Sequence, residues 1–220
     1  MCIRDRFNGT ETFTYLFNDS DGYTSTAKLV LQVHNNNDPV VLTGLDLTGG
    51  ELTVFEKNLV DGASPNTPLL TQTGTFTVTA LDGLKNLTVG GLNVVTNGMV
   101  ATFPLSEGTL LGNNFVVTGY DPNTGVVSYR YTLLDNETHP NASGANSLSE
   151  QIPVTASDYD TNTATGTIDI NIIDDLPTAN PDVRSVAEGG VVSVNVLGND
   201  VGGADSPTLA GALVGVRAGS

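Results

Sequence analysis

Apolar and polar residues alternate with a period of two along much of this chain. Phe13, Tyr15 and Phe17 share one face of segment 12–17. Ala27, Leu29, Leu31 and Val33 do so in the next segment, with Lys28, Val30 and Gln32 opposite. Segments 75–79, 126–133 and 166–172 repeat the pattern. Such alternation over five or more residues predicts half-buried strands. Between the runs stand Asp21-Gly22, Asp61-Gly62, Asp82-Gly83, Gly90-Gly91 and Asn97-Gly98. Glycine and asparagine tolerate positive φ, so these pairs predict tight turns. No segment carries a convincing helical period. The expected fold is all-β, built of antiparallel β-sandwich modules.

An internal repeat organises these strands. Asn18-Asp19-Ser20-Asp21-Gly22 precedes the strand ending at Val33, and Asn35-Asn36-Asn37-Asp38-Pro39 follows it. Ser157-Asp158-Tyr159-Asp160 precedes the strand ending at Ile172, which leads into Asp174-Asp175-Leu176-Pro177. Asp158 lies 139 residues after Asp19, and at that offset Thr24, Thr26, Leu29, Leu31 and Val33 match Thr163, Thr165, Ile168, Ile170 and Ile172. Glu56 and Glu188 close two similar segments, 52–56 and 184–188. The expected organisation is the tail of one module (8–39), a complete module (40–178) and the head of a third (179–220), a fragment of a tandem array.

Composition narrows the function. The 220 residues carry 24 acidic and 8 basic side chains, a net charge of −16, with 39% hydrophobic residues. That apolar fraction suffices for a core. So acidic a surface disfavours nucleic acid and anionic lipid, and no run approaches the roughly 20 apolar residues that span a bilayer. Neither nucleic-acid binding nor membrane insertion of this stretch is therefore expected. The single cysteine, Cys2, forbids an internal disulfide. It sits in Met1-Cys2-Ile3-Arg4-Asp5-Arg6, a basic string unlike the rest, so residues 1–7 are expected to be a non-native scar. Without it, the chain is cysteine-free and rich in Thr, Asn and Gly, as suits an exported bacterial protein.

Four segments carry a family resemblance: Glu-Leu-Thr-Val-Phe-Glu-Lys-Asn (51–58), Thr-Gly-Thr-Phe-Thr-Val-Thr-Ala-Leu-Asp-Gly-Leu (73–84), Val-Ser-Tyr-Arg-Tyr-Thr-Leu (127–133) and Asp-Ile-Asn-Ile-Ile-Asp-Asp-Leu-Pro-Thr-Ala (169–179). Together they resemble the Ig-like repeat of type I secretion targets, the giant RTX-type adhesins and biofilm-associated proteins of Gram-negative bacteria. Residues 180–205, ending Val-Leu-Gly-Asn-Asp-Val-Gly-Gly-Ala-Asp, resemble the start of a cadherin-like module. Thr161 departs from the glycine expected after the second Asp-x-Asp, and glycine-rich nonapeptide calcium repeats are absent from the sequence.

Carboxylates two apart in a loop can both face one Ca²⁺, which takes 6–8 oxygen ligands. Asp19 and Asp21 have this spacing, with Asp38 at the end of their module; Asp158, Asp160, Asp174 and Asp175 repeat the set. The resemblance implies inter-module calcium sites completed by a glutamate of the next module, Glu56 for the first and Glu188 for the second. Asn199, Asp200 and Asp205 are candidates for a further site. An EF-hand does not fit, since Val30 occupies the twelfth position from Asp19.

Other chemistry is thin. His34 and His139 stand outside any nucleophile motif and are expected at the surface, while Tyr129 and Tyr131 are expected in the core. Asn136-Glu137-Thr138 matches a glycosylation sequon, at a frequency this composition supplies by chance. No catalytic constellation is evident, so an enzyme is not expected. The resemblance implies an extracellular, calcium-rigidified stalk repeat of a surface adhesin, with the neighbouring repeats as its partners. The alternative is a ligand-binding module that recognises carbohydrate or a cell surface through the long polar loop 134–148.

Overall fold

The computed structural model describes residues 9–34, 37–140, 144–205 and 213. The 1–7 string and the linker residues Asn35 and Asn36 lie outside the described residues.

Strands β1 (Gly9–Asn18) and β2 (Thr24–Val33) form a two-stranded antiparallel hairpin. The chain then builds two facing sheets. One sheet has the order β3 (Val41–Thr43), β5 (Thr71–Thr79), β11 (Val126–Thr132), β10 (Asn114–Asp121) and β9 (Leu105–Gly108). The other runs β4 (Leu52–Phe55), β13 (Thr163–Ile173), β12 (Ser147–Asp158), β6 (Leu84–Val89), β7 (Leu92–Thr96) and β8 (Met99–Val100). All pairings between these strands are antiparallel except β4 with β13. Helix is confined to single 3₁₀ turns at Glu56–Asn58 and Thr67–Leu70 among the described residues. The predicted all-β sandwich is therefore the observed architecture, and each of the five predicted turn pairs stands at a bend or turn between strands or beside a 3₁₀ turn.

Alternation decides which face is buried. In β12 the inward positions are Glu150, Ile152, Val154, Ala156 and Asp158; in β13 they are Ile168, Ile170 and Ile172. From the facing sheet come Phe76, Phe115, Val127, Tyr129 and Tyr131. The Tyr129 ring lies 6.3 Å from Phe76 and 5.7 Å from Phe115, centroid to centroid. Both tyrosines are thus core residues, as expected. Pro153 sits within β12 without disrupting it: it falls just beyond the last β6 pair, Val154 with Val89, and its carbonyl accepts the Gly90 N–H at 2.7 Å.

The β1–β2 and β12–β13 hairpins share one register. Gly9 pairs with Val33, Phe13 with Leu29 and Asn18 with Thr24; at the 139-residue offset, Leu148 pairs with Ile172, Ile152 with Ile168 and Ser157 with Thr163. Their burial differs sharply. Ile152, Val154, Ala156 and Ile168 are at most 4% exposed, while Phe13, Tyr15, Phe17 and Leu29 are 36–66% exposed. The same apolar face is core in one hairpin and uncovered in the other.

Beyond β13 the described residues form one isolated bridge, Thr178 with Val201. Asn180 donates to Asp200 and Asn199, and Asn199 donates to the Pro181 carbonyl.

The contrast between the hairpins makes a direct prediction. Ile168→Ala should cost about 2–4 kcal/mol in urea unfolding, the price of a core cavity. The matching Leu29→Ala should change stability by less than about 0.5 kcal/mol, as exposed sites do.

Candidate metal sites at the two poles

Strand β13 separates two groups of carboxylates. Its 11 residues span about 35 Å at the usual strand rise. Asp158 and Asp160 precede it, and Asp174 and Asp175 follow it, so these four cannot share an ion. Likewise β2, with 10 residues, holds Asp19 and Asp21 about 33 Å of strand away from the linker that carries Asp38. The expected sets are therefore regrouped by pole.

At the pole where the chain enters the sandwich, the β12–β13 turn meets the linker. Asp158 is 1% exposed, and its Oδ1 accepts the Asn162 N–H at 2.8 Å. The Asn162 side-chain amide donates to Asp158 Oδ2 at 2.8 Å, to the Asp38 carbonyl at 3.1 Å and to Asn37 Oδ1. Three oxygens thus converge on a nitrogen with two hydrogens. Buried Asp82, from the β5–β6 turn, accepts the Asp38 N–H at 2.6 Å. Asp160 lies in the same turn as Asp158, partly buried.

The β1–β2 turn has the same backbone. Asp19 N–H donates to the Tyr23 carbonyl at 3.0 Å and Asp158 N–H to the Asn162 carbonyl at 3.1 Å; the return bond from Tyr23 N–H to Asp19 Oδ1 is 2.8 Å. Gly22 takes φ +89° and its counterpart Thr161 φ +74°. Threonine therefore adopts the left-handed conformation that glycine would supply, and the departure at Thr161 leaves the turn unchanged. Asp19 and Asp21 are exposed, and Tyr23 occupies the place of Asn162.

The exit pole is assembled by the parallel pairing of Ile173 with Phe55. The next residues of both strands, Asp174 and Glu56, then fall at the same end of the sheet. This places Glu56 with Asp174 and not, as the resemblance implied, with Asp19, Asp21 and Asp38. Glu56 is fully buried. Its Oε1 accepts the Glu137 N–H at 2.6 Å and lies 3.1 Å from His139 Nε2. His139, expected at the surface, has a side chain only 4% exposed; His34 is exposed. One ligand atom each of Glu56, His139 and Asp174 lies within 4.8 Å of the others. Among the described residues, Glu56 Oε2, His139 Nδ1, Asn146 Oδ1 and Asp174 Oδ1 are buried without a hydrogen-bond partner.

Around this group the polar contacts are ordered. Glu137 accepts from the Asn113 amide at 2.6 Å, and Asn113 Oδ1 accepts the Leu134 N–H at 2.9 Å. Glu150 accepts the Tyr131 hydroxyl at 2.6 Å and the Leu111 N–H at 2.9 Å. Asp175 Oδ2 is held by the Ala63 and Ala204 N–H groups, at 2.7 and 3.1 Å. Gly62 lets the chain fold back tightly on the 3₁₀ turn before Ala63, because a Cβ there would meet the Glu56 and Lys57 carbonyls at 2.6 Å. Asp205 accepts from the Asn136 amide at 2.6 Å and its charge bears on Glu56. Asp205 thus joins this pole, whereas Glu188 stands exposed in a turn outside the Glu56–His139–Asp174 group.

Sequence reasoning missed His139, Asn146, Glu137 and Asn162 as members of these groups. The polar run Asp135-Asn136-Glu137-Thr138-His139 was the available signal, but its burial arises from tertiary contacts that no periodicity marks. Against the needs of Ca²⁺, the entry pole fits, offering only oxygens once the Asn162 amide turns over. The exit pole adds a nitrogen. No family model matches the chain, and a search of curated proteins finds no match. No helix among the described residues is long and apolar enough to cross a membrane.

Two predictions follow from the geometry. Thr161→Gly should gain about 0.5–1 kcal/mol in urea unfolding, since the left-handed strain of a β-branched residue exceeds the added chain entropy of glycine. Burial pushes the Glu56 and Glu137 carboxyls above their ordinary values. The stability they contribute is present at acidic pH and lost as pH rises through the raised values. In chelator, the melting temperature should therefore fall as pH rises above the ordinary carboxylate range, and Glu56→Gln should flatten that fall.

Proposed function

We propose that this chain is a structural spacer from an extended, secreted bacterial surface protein of the tandem Ig-like adhesin type, with calcium tightening the entry joint. The observation that supports it best is the shared register of the two hairpins. A β1–β2 hairpin with the ladder and turn of β12–β13, but with its inner face uncovered, is what the last hairpin of a preceding sandwich looks like beside a complete one. Linked copies of one fold bury such faces in series and build length instead of a catalytic cleft.

The entry pole supplies the joint. Linker atoms from Asn37 and Asp38 meet Asp158 and Asn162 of the sandwich proper. Turning the Asn162 amide would add its oxygen to the three already converging there. Ca²⁺ would neutralise Asp158 and fix the linker against the turn more firmly than the side-chain amide contacts between Asn37, Asp38 and Asn162. The acidic surface keeps such a rod soluble and repels like-charged neighbours.

The remaining features favour a spacer over a binding or catalytic module. The 134–140 part of the long loop is pinned through Leu134, Asn136, Glu137 and His139, leaving little of it free to recognise a ligand. Residues 141–143 lie outside the described residues. A cleft of about 260 Å³ beside Gly90 and Gly91 has Glu107 as its one acidic group, and both of its oxygens accept the Gly91 N–H at 2.9 Å.

Calcium titration of the ion-stripped full chain tests the reading. Saturating Ca²⁺, at about 100 times Kd, should add roughly 2.7 kcal/mol of stability and sharpen the small-angle scattering profile. Asp158→Asn should abolish both effects. Unchanged melting and scattering in the wild type would refute the calcium joint.

A further inference from the structure

We propose that the exit pole is a site for a first-row transition cation of the zinc class, bound by His139 together with Glu56 and Asp174. Nothing in this inference depends on calcium at the entry pole. The three side chains come from different parts of the fold: Glu56 follows β4, Asp174 follows β13, and His139 belongs to the segment after β11. One ligand atom from each lies within 4.8 Å of the others.

The polar atoms there are under-served. Glu56 is fully buried, yet its Oε2 has no partner, and Asp174 Oδ1 and Asn146 Oδ1 share that condition. Asn146 is held at the cluster by its own backbone, whose carbonyl accepts the Asp174 N–H at 3.0 Å. A buried carboxylate oxygen without a donor or a cation is costly. The Glu56–His139 contact serves only Oε1, so an ion pair alone leaves three oxygens unsatisfied. The surrounding charge is unbalanced in the same sense, with Asp175 and Asp205 nearby and His139 the one basic side chain in the group. One divalent ion among the three ligands would answer the two carboxylates and offset this charge together.

The donor set selects the ion. Calcium is hard and takes oxygen; an imidazole nitrogen beside two carboxylates suits zinc and its neighbours. The 3.1 Å separation of His139 Nε2 and Glu56 Oε1 is close to the edge of a zinc tetrahedron, about 3.3 Å for ligands near 2.0 Å. An outer contact already orients one ligand: the Glu137 N–H fixes Glu56 Oε1, while the Asn146 amide anchors the backbone next to His139 by donating to the Pro140 carbonyl at 2.5 Å. A bound ion would tie the ends of β4 and β13 to residues 134–140.

The test is calorimetric titration of the ion-stripped full chain with zinc chloride, with cobalt as a spectroscopic probe. Expected are a zinc site on the wild type, weakened at least about tenfold by His139→Ala and by Glu56→Gln, and visible cobalt bands lost in His139→Ala. His139→Asp, which retains a donor but makes the set all-oxygen, should shift preference towards calcium. Circular dichroism on each variant separates lost binding from lost fold. The proposal is overturned by no zinc uptake, by uptake indifferent to folded His139 and Glu56 variants, or by calcium displacing zinc at equal concentration. Calcium stabilisation that depends on Asp158 would survive any of these results.

Discussion

Strand β4 pairs in parallel with β13 at the edge of a sandwich whose other pairings are antiparallel. Two strands that run the same way release their next residues at the same end, so Glu56 and Asp174 meet because of strand direction. The consequence is energetic as well as geometric. Glu56 is fully buried with one oxygen unpartnered, a cost the fold bears unless a cation or a proton answers it. The turn after β4, the segment after β11 and the exit from β13 all converge on that carboxylate.

The inward face of β12 links this pole to the other. Its apolar residues Ile152, Val154 and Ala156 are flanked by Glu150 towards the exit and Asp158 towards the entry. The fully buried stretch of that face is thus bounded by acid at both ends, with partly buried Leu148 packed against the core beyond Glu150. Glu150 is answered by a tyrosine hydroxyl and a backbone amide, and Asp158 by an asparagine. The acidic excess is therefore partly internal to the fold, concentrated where the apolar core stops. In the proposed reading, cations at the two poles exploit that placement, with an all-oxygen set at one and a mixed set at the other.

Period-two alternation made several of the strands legible, and the 139-residue offset matched β2 to β13 position by position; the partner strand β12 and its pairing with β13 came from the structure. Tyr129 and Tyr131 were correctly assigned to the core because both fall on the face of β11 that alternation buries. The grouping of the carboxylates was not legible. Sequence proximity suggested that Asp158 and Asp160 belong with Asp174 and Asp175, yet a strand of ordinary length carries them to opposite poles. Parallel pairing of β4 is a long-range choice with no local signature, so Glu56 was assigned to the wrong partners. His139 read as a surface loop residue because its burial comes from contact with Glu56, 83 positions away. Thr161 looked like a defect in the turn, but the backbone there imposes positive φ whichever residue occupies it.

Anomalous diffraction from crystals of the full chain grown with zinc and calcium together would test the placement of cations most directly. The account predicts a zinc-edge peak among Glu56, His139 and Asp174, and a calcium peak among Asn37, Asp38, Asp158 and a turned-over Asn162. Well-ordered maps with no metal density at either pole would contradict it.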